Sequence, residues 1–193
     1  MRRSVFLLAL AAAAAHADEG PGPNVGDQEL GARIGIDLNL AGVGPGGLHF
    51  GGLWLYRLAD RVWFDGRASF AIGGGGSNCT FPATGAPSCA HALTDGFSAL
   101  ALAGVRWFPP VSGQVTPWIG GGVGAGLADF PGDGLPGFAL PLWGGAGARV
   151  PVADGVSLAG EALFEVAGTV YGEGVGWRAR LGMTIAFGVD FRI

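Results

Sequence analysis

From Leu181 to Ile193 the chain alternates without a break. Leu181, Met183, Ile185, Phe187, Val189, Phe191 and Ile193 are apolar. Gly182, Thr184, Ala186, Gly188, Asp190 and Arg192, between them, are small, polar or charged. Period two is the β-strand period, because successive side chains leave opposite faces of the backbone. A helix would repeat its apolar positions every three or four residues, and this segment does not. The segment is therefore a strand whose two faces meet different surroundings.

Seven earlier segments repeat the pattern. Strands are predicted over Leu30–Leu40, Leu48–Leu58, Val62–Ile72, Leu93–Trp107, Trp118–Leu127, Phe138–Val150 and Val156–Val166, and the last over Trp177–Ile193. Turn chemistry separates them: a Gly/Pro loop at Ala41–Gly47, a tight Ala59-Asp60-Arg61, Pro109-Pro110 to Pro117, Pro131 to Pro136, Pro151 with Asp154-Gly155, and Gly172 to Gly176. The longest loop is Gly73–Ala92, rich in Gly, Pro, Ser and Thr. Gly96–Val105 and Leu158–Val166 contain Leu, Ala and Glu and also fit short helices. Their spacing and face polarity match the neighbouring strands, so they are read as strands.

The N-terminus has a different character. Met1-Arg2-Arg3, an apolar run from Val5 to Ala15, and Ala15-His16-Ala17 have the form of a secretory signal peptide cleaved after Ala17. The expected organisation is a signal peptide at 1–17, a short periplasmic segment at 18–27 and a barrel over 28–193. No later stretch has the roughly 18 unbroken apolar residues of a membrane-spanning helix. Yet mean hydropathy is +0.42, and only 13% of residues are charged, against about 25% in a soluble domain. High apolar content diluted by alternation is the composition of a transmembrane β-barrel. Glycine contributes 39 of 193 residues without a Gly-X-Y period, which excludes collagen. All 11 basic residues are Arg, and the net charge of −4 argues against a nucleic-acid partner.

The charges sort by face. In the predicted register the apolar faces carry none. The opposite faces carry Arg33, Asp37, Arg57, Asp65, Arg67, Asp95, Arg106, Arg149, Glu161, Glu165, Arg178 and Arg180, spaced by small residues. A soluble barrel would make its second face densely polar. Isolated charges among glycines suit a cramped interior, and eight strands leave a bore that side chains just fill. Gly120, Gly122, Gly124 and Gly126 are expected to make room for arginines and aromatics from the facing wall. The fold expected is all-β: an eight-stranded antiparallel up-and-down transmembrane barrel. Its lumen network comprises Arg33, Asp37, Arg57, Asp65, Arg67, Arg106, Arg149, Glu161, Glu165 and Arg180. Counting across the last hairpin pairs Glu165 with Arg180, with Glu161 and Arg149 near them. Tyr56, Phe64, Trp107 and Phe191 are expected to form one interfacial girdle, and Phe50, Phe70, Phe97, Phe138 and Trp177 the other.

On three features the chain resembles the small OmpA/OmpX-type bacterial outer-membrane barrels: the alternating last strand, Pro117-Trp-Ile-Gly-Gly-Gly-Val-Gly124, and the inward Glu161. The resemblance covers about Gln28 to Ile193. It implies the outer membrane as location, lipid as surroundings, and the barrel-assembly machinery as a partner during biogenesis. Such barrels usually end in an aromatic residue, and this chain ends in Ile193.

Candidate chemistry is sparse. Cys79 and Cys89, in the longest loop of an exported chain, are expected to form a disulfide. With His91 they supply too few ligands for a metal site. The lipid A deacylase barrels use a His-x-Ser motif, whereas the three His here read His16-Ala-Asp, His49-Phe-Gly and His91-Ala-Leu. Gly120-x-Gly122-x-x-Ala125 imitates a dinucleotide fingerprint but leads into a turn rather than a helix. The expectation is a monomeric barrel without enzymatic activity, metal or cofactor, with a packed, ion-paired lumen and a structural or surface-interaction role. Two alternatives stand: a narrow pore for ions or small solutes, and a soluble exported lipid-binding barrel with its apolar face inward.

Overall fold

The structure, a computed structural model, describes residues 26–42, 44–73, 78–80, 88–90, 96–130, 135–172 and 176–193. Its strands are β1 (Gln28–Gly42), β2 (Gly47–Ala59), β3 (Val62–Ile72), β4 (Asn78–Thr80), β5 (Ser88–Ala90), β6 (Phe97–Trp107), β7 (Thr116–Phe130), β8 (Leu135–Ala153), β9 (Val156–Tyr171) and β10 (Gly176–Arg192). Eight of them form one closed barrel in the order β1-β10-β9-β8-β7-β6-β3-β2. Every neighbouring pair is antiparallel, and β1 closes the ring against β10 from Glu29↔Arg192 to Gly42↔Arg180. Closure leaves no unpaired edge, the condition for spanning lipid with strands.

All eight predicted strands are present, and five of them are longer than predicted. Prolines taken as turn signals lie inside strands. Pro117 belongs to β7, and Pro136 and Pro151 belong to β8, the latter beside a bulge. Pro141 lies in the middle of β8. There the β7–β8 ladder passes from Val123↔Leu142 to Gly126↔Ala139 and skips it, as a residue without an N–H requires. The strand predicted from Leu93 begins at Phe97; residues 91–95, including Asp95, lie outside the described residues. The predicted long loop contains a two-stranded ladder, β4–β5, in which Cys79 and Cys89 are register partners.

Parity decides what each residue faces. Val123, Leu142 and Phe187, on the outward parity, are 57%, 61% and 66% exposed. Leu53, Leu55, Trp63, Leu100, Leu102, Trp118, Trp143 and Leu163, on the inward parity, form the buried core. Asp129, one position from the end of β7, is the single charged residue on the outward parity among the described strands. The apolar face is therefore outside and the bore is filled, which removes the reading of a soluble lipid carrier with its greasy face inward. The shortest barrel strands have 11 residues. Tilted by about 40° with about 3.4 Å per residue, they rise about 28 Å, enough for the roughly 25 Å apolar band of such barrels.

The two ends differ. At the terminal end, where β1 begins and β10 finishes, β2–β3 and β8–β9 are joined by two-residue turns, and Gly155 takes φ +69° after Asp154, the Asp-Gly hairpin solution. At the other end the chain between β1 and β2 folds inward, and Gly44, Pro45 and Gly46 are all buried. Gly46 N–H donates to Gly73 O (3.2 Å) and Gly73 N–H to Gly96 O (2.8 Å). A Cβ on Gly96 would stand 2.8 Å from Pro45 Cβ and 3.0 Å from Phe130. This end of the bore is thus capped by its own loop.

Candidate functional site

The inward faces of β1, β3, β6, β9 and β10 converge on a central cluster. Asp65 and Arg106, on β3 and β6, are both fully buried. Asp65 accepts from Arg67 through both oxygens, each at 2.9 Å. Its Oδ2 also accepts from Arg106 Nε (3.1 Å) and Nη2 (2.9 Å). Glu161, on β9, accepts from Arg67 Nη1 at 2.7 Å and lies 3.5 Å from Arg33 Nε and 3.8 Å from Arg106. Arg33, on β1, also meets Asp190 of β10 at 2.7 Å. Three guanidiniums thus face three carboxylates. Balance is what burial demands, since an unpaired buried charge is far costlier than a paired one.

Indole rings enclose this cluster. The Arg106 guanidinium stands 3.8 Å from the Trp118 ring, and that of Arg67 stands 4.9 Å from Trp143. Glycines make the room: a Cβ on Gly104 would lie 2.7 Å from Trp143, and one on Gly147 would lie 2.7 Å from Trp118 Nε1. The run Gly120 to Gly126 has a different role from the expected one. A Cβ on any of its even glycines would meet main chain of the adjacent β6. These glycines permit close strand approach rather than accommodating the facing wall.

Two smaller groups flank the centre. Toward the capped end, Arg180 bridges Glu165 (3.0 Å) and Asp37. Toward the terminal end, Arg149 pairs with Glu29 and stands 4.5 Å from the Phe108 ring. Glu161 and Arg149, expected beside the Glu165–Arg180 pair, belong instead to the central and terminal groups. Arg57 also departs from expectation. It folds over the β2–β3 turn and donates to Ala59 O (3.3 Å), Asp60 O (2.8 Å) and Asp60 Oδ1 (2.7 Å). Being the last inward residue of β2, it reaches the turn more readily than the central cluster. His49 has a polar neighbour, its Nδ1 lying 3.5 Å from Ser69 Oγ. Glu29 and Asp190 belong to the lumen and were missed. Parity would have found both: Glu29 lies one residue before the predicted first strand, and Asp190 shares its face with Arg180.

No family model and no curated relative matches the chain. Solved structures do. The Neisserial surface protein A superposes with a TM-score of 0.60 at 14% identity, covering 88% of this chain and 98% of that one. The outer-membrane protein OprG from Pseudomonas aeruginosa gives 0.54 at 11% identity, with 88% and 98% covered. A major outer-membrane protein from Thermus thermophilus gives 0.52 at 14%, with 88% and 100% covered. The fold is that of small bacterial outer-membrane barrels. At these identities the likeness shows the architecture. The apolar outer wall is what suits it to lipid, and the charged lumen belongs to this chain.

Proposed function

We propose that the protein is an integral outer-membrane barrel with a sealed lumen, acting as a structural or surface-interacting element rather than a conduit. The central cluster carries this reading. Arg33, Asp65, Arg67, Arg106, Glu161 and Asp190 are all buried and mutually paired across the bore. An ion would have to break several charge-assisted hydrogen bonds to pass, each worth more than a neutral one. The inward-folded Gly44–Gly46 loop closes the path a second time. In this reading residues 1–17 are a signal peptide cleaved after Ala17, residues 18–27 remain periplasmic, both termini face the periplasm, and the barrel is a monomer inserted by the barrel-assembly machinery. Cys79 and Cys89, opposite each other in the β4–β5 ladder, form a disulfide in the external loop.

Two measurements test it. The folded protein in the membrane fraction migrates differently on a gel before and after boiling, as detergent-resistant barrels do. In a planar bilayer it gives no single-channel steps. Reproducible steps would overturn the sealed lumen and establish the alternative, a narrow pore.

A further inference from the structure

The charges of the bore are not balanced evenly along its length. The central cluster sets three guanidiniums against three carboxylates. Toward the capped end, Asp37 of β1 and Glu165 of β9 share the single guanidinium of Arg180 on β10. Among the described residues, His49 of β2 and Tyr171 of β9 are the titratable neighbours of this group, and Arg178 is the next charge along β10. Strands β3, β6, β7 and β8 turn Ala71, Ser98, Ala128, Ala139 and Pro141 inward here, and none of these titrates. The Arg180 side chain is also the floor of the cap. Gly44 lies directly on it: a Cβ at Gly44 would stand 3.0 Å from Arg180 Nε, and that Nε has no hydrogen-bond partner. From β1 the cap is held by Asn39, whose Nδ2 donates to Gly42 O (3.2 Å) and Gly44 O (3.1 Å). On either side Gly42 and Gly47 take φ +83° and +107°, backbone that glycine enters at no steric cost.

While Asp37 and Glu165 are ionised, they hold the guanidinium of Arg180 in place beneath Gly44. Acid discharges both carboxylates. Arg180 cannot follow them, because a guanidinium does not give up its proton in a protein. It is then a buried cation without a counter-ion, which is strongly unfavourable. Hydration replaces the lost partners, and it requires Gly44 to move off the Arg180 stem. We propose that the Gly44–Gly46 loop is an acid-opened lid, latched shut by the Asp37–Arg180–Glu165 group. The sign follows from which groups lose their charge: the lid is closed at neutral pH and open in acid. Opening bares the capped half of the bore as far as the central cluster, and it does not depend on whether the lumen conducts.

The test reads a thiol placed beneath the lid. Ser98 is 2% exposed and is the next inward residue after Gly96, which Pro45 covers. Ser98→Cys is made in the complete barrel with Cys79→Ser and Cys89→Ser, folded in zwitterionic detergent. Its rate of reaction with 4,4′-dithiodipyridine is divided by that of Asp154→Cys, an exposed position, in the same background. The division cancels the effect of pH on thiol and reagent. From about pH 7.5 to about pH 4, where ordinary carboxyls are half protonated, the ratio rises at least tenfold while the gel shift of a folded barrel persists. His49→Gln leaves that rise in place. Asp37→Asn with Glu165→Gln gives the high ratio already at neutral pH, and adding Arg180→Met returns it to the low value at every pH. A ratio that stays flat in acid, a rise that comes only with loss of the gel shift, or a rise lost in folded His49→Gln overturns the proposal. So does a folded charge variant that departs from its expected ratio. The pH series and His49→Gln carry the test if the charge variants do not fold.

Discussion

Single residues show which interactions alternation reveals and which it hides. Glu165 and Arg180 sit on consecutive strands of one hairpin. Gly182 is the register partner of Glu165, and Arg180 reaches Glu165 from the diagonal position. Such local pairs follow from counting along a hairpin. The contacts of Glu161 with Arg67 and Arg33 cross the bore, and only the closed ring brings them together. Nothing in the period-two pattern says which inward charge meets which. The consequence for stability is large. Glu161→Gln removes a charge that holds Arg67 and Arg33 together and leaves them buried with one fewer counter-ion, a loss of about 3–5 kcal/mol. Asp60 and Arg61, 3.8 Å apart and well exposed, form a pair worth less than about 1 kcal/mol. Urea unfolding in detergent therefore has a markedly lower midpoint for Glu161→Gln and nearly the wild-type midpoint for Arg61→Gln. Equal midpoints would remove the central cluster as a stabilising element.

Elements were legible wherever both faces kept their contrast, and their ends were not. Strands β7 and β8 were predicted too short because Pro117, Pro136 and Pro151 read as turns. A barrel tolerates these prolines near strand ends and beside a bulge, and its β7–β8 ladder is interrupted for two pairs at Pro141. The β4–β5 ladder was invisible for a different reason: three residues per strand are too few to show a period. That ladder determines how the proposed disulfide acts. The bridge closes a short loop already drawn together by pairing, so the roughly 2–3 kcal/mol of loop-closure entropy is the most it contributes. The expected result is local. Denatured, unreduced protein has no titratable thiol and reduced protein has two. Reduction leaves the boiled-versus-unboiled gel shift intact. Two thiols without reduction would exclude the bridge, and loss of the shift on reduction would show that the barrel itself depends on it.

At the scale of the whole molecule, two solvents determine the register. Lipid requires an uncharged outer wall, and the bore requires its charges inside and paired. A one-residue slip of any barrel strand would exchange the two faces and bring buried arginines into hydrocarbon. This is why the architecture was readable from one sequence while the lumen's wiring was not: alternation records only the sorting between the two solvents. The cost of violating that sorting depends on depth. Val123 is the middle residue of β7 and 57% exposed, whereas Val152 is 55% exposed near the terminal end of β8. Arginine on the lipid face costs about 2–4 kcal/mol at the midplane and about 0–1 near the interface. In lipid vesicles, Val123→Arg therefore lowers the free energy of folding by a few kcal/mol, and Val152→Arg, at equal exposure, changes it little. In a barrel that stood in water both substitutions would be nearly neutral. Equal small effects would contradict the bilayer as this wall's surroundings, and equal large effects would place Val152 deep in the membrane and require a different tilt of the barrel.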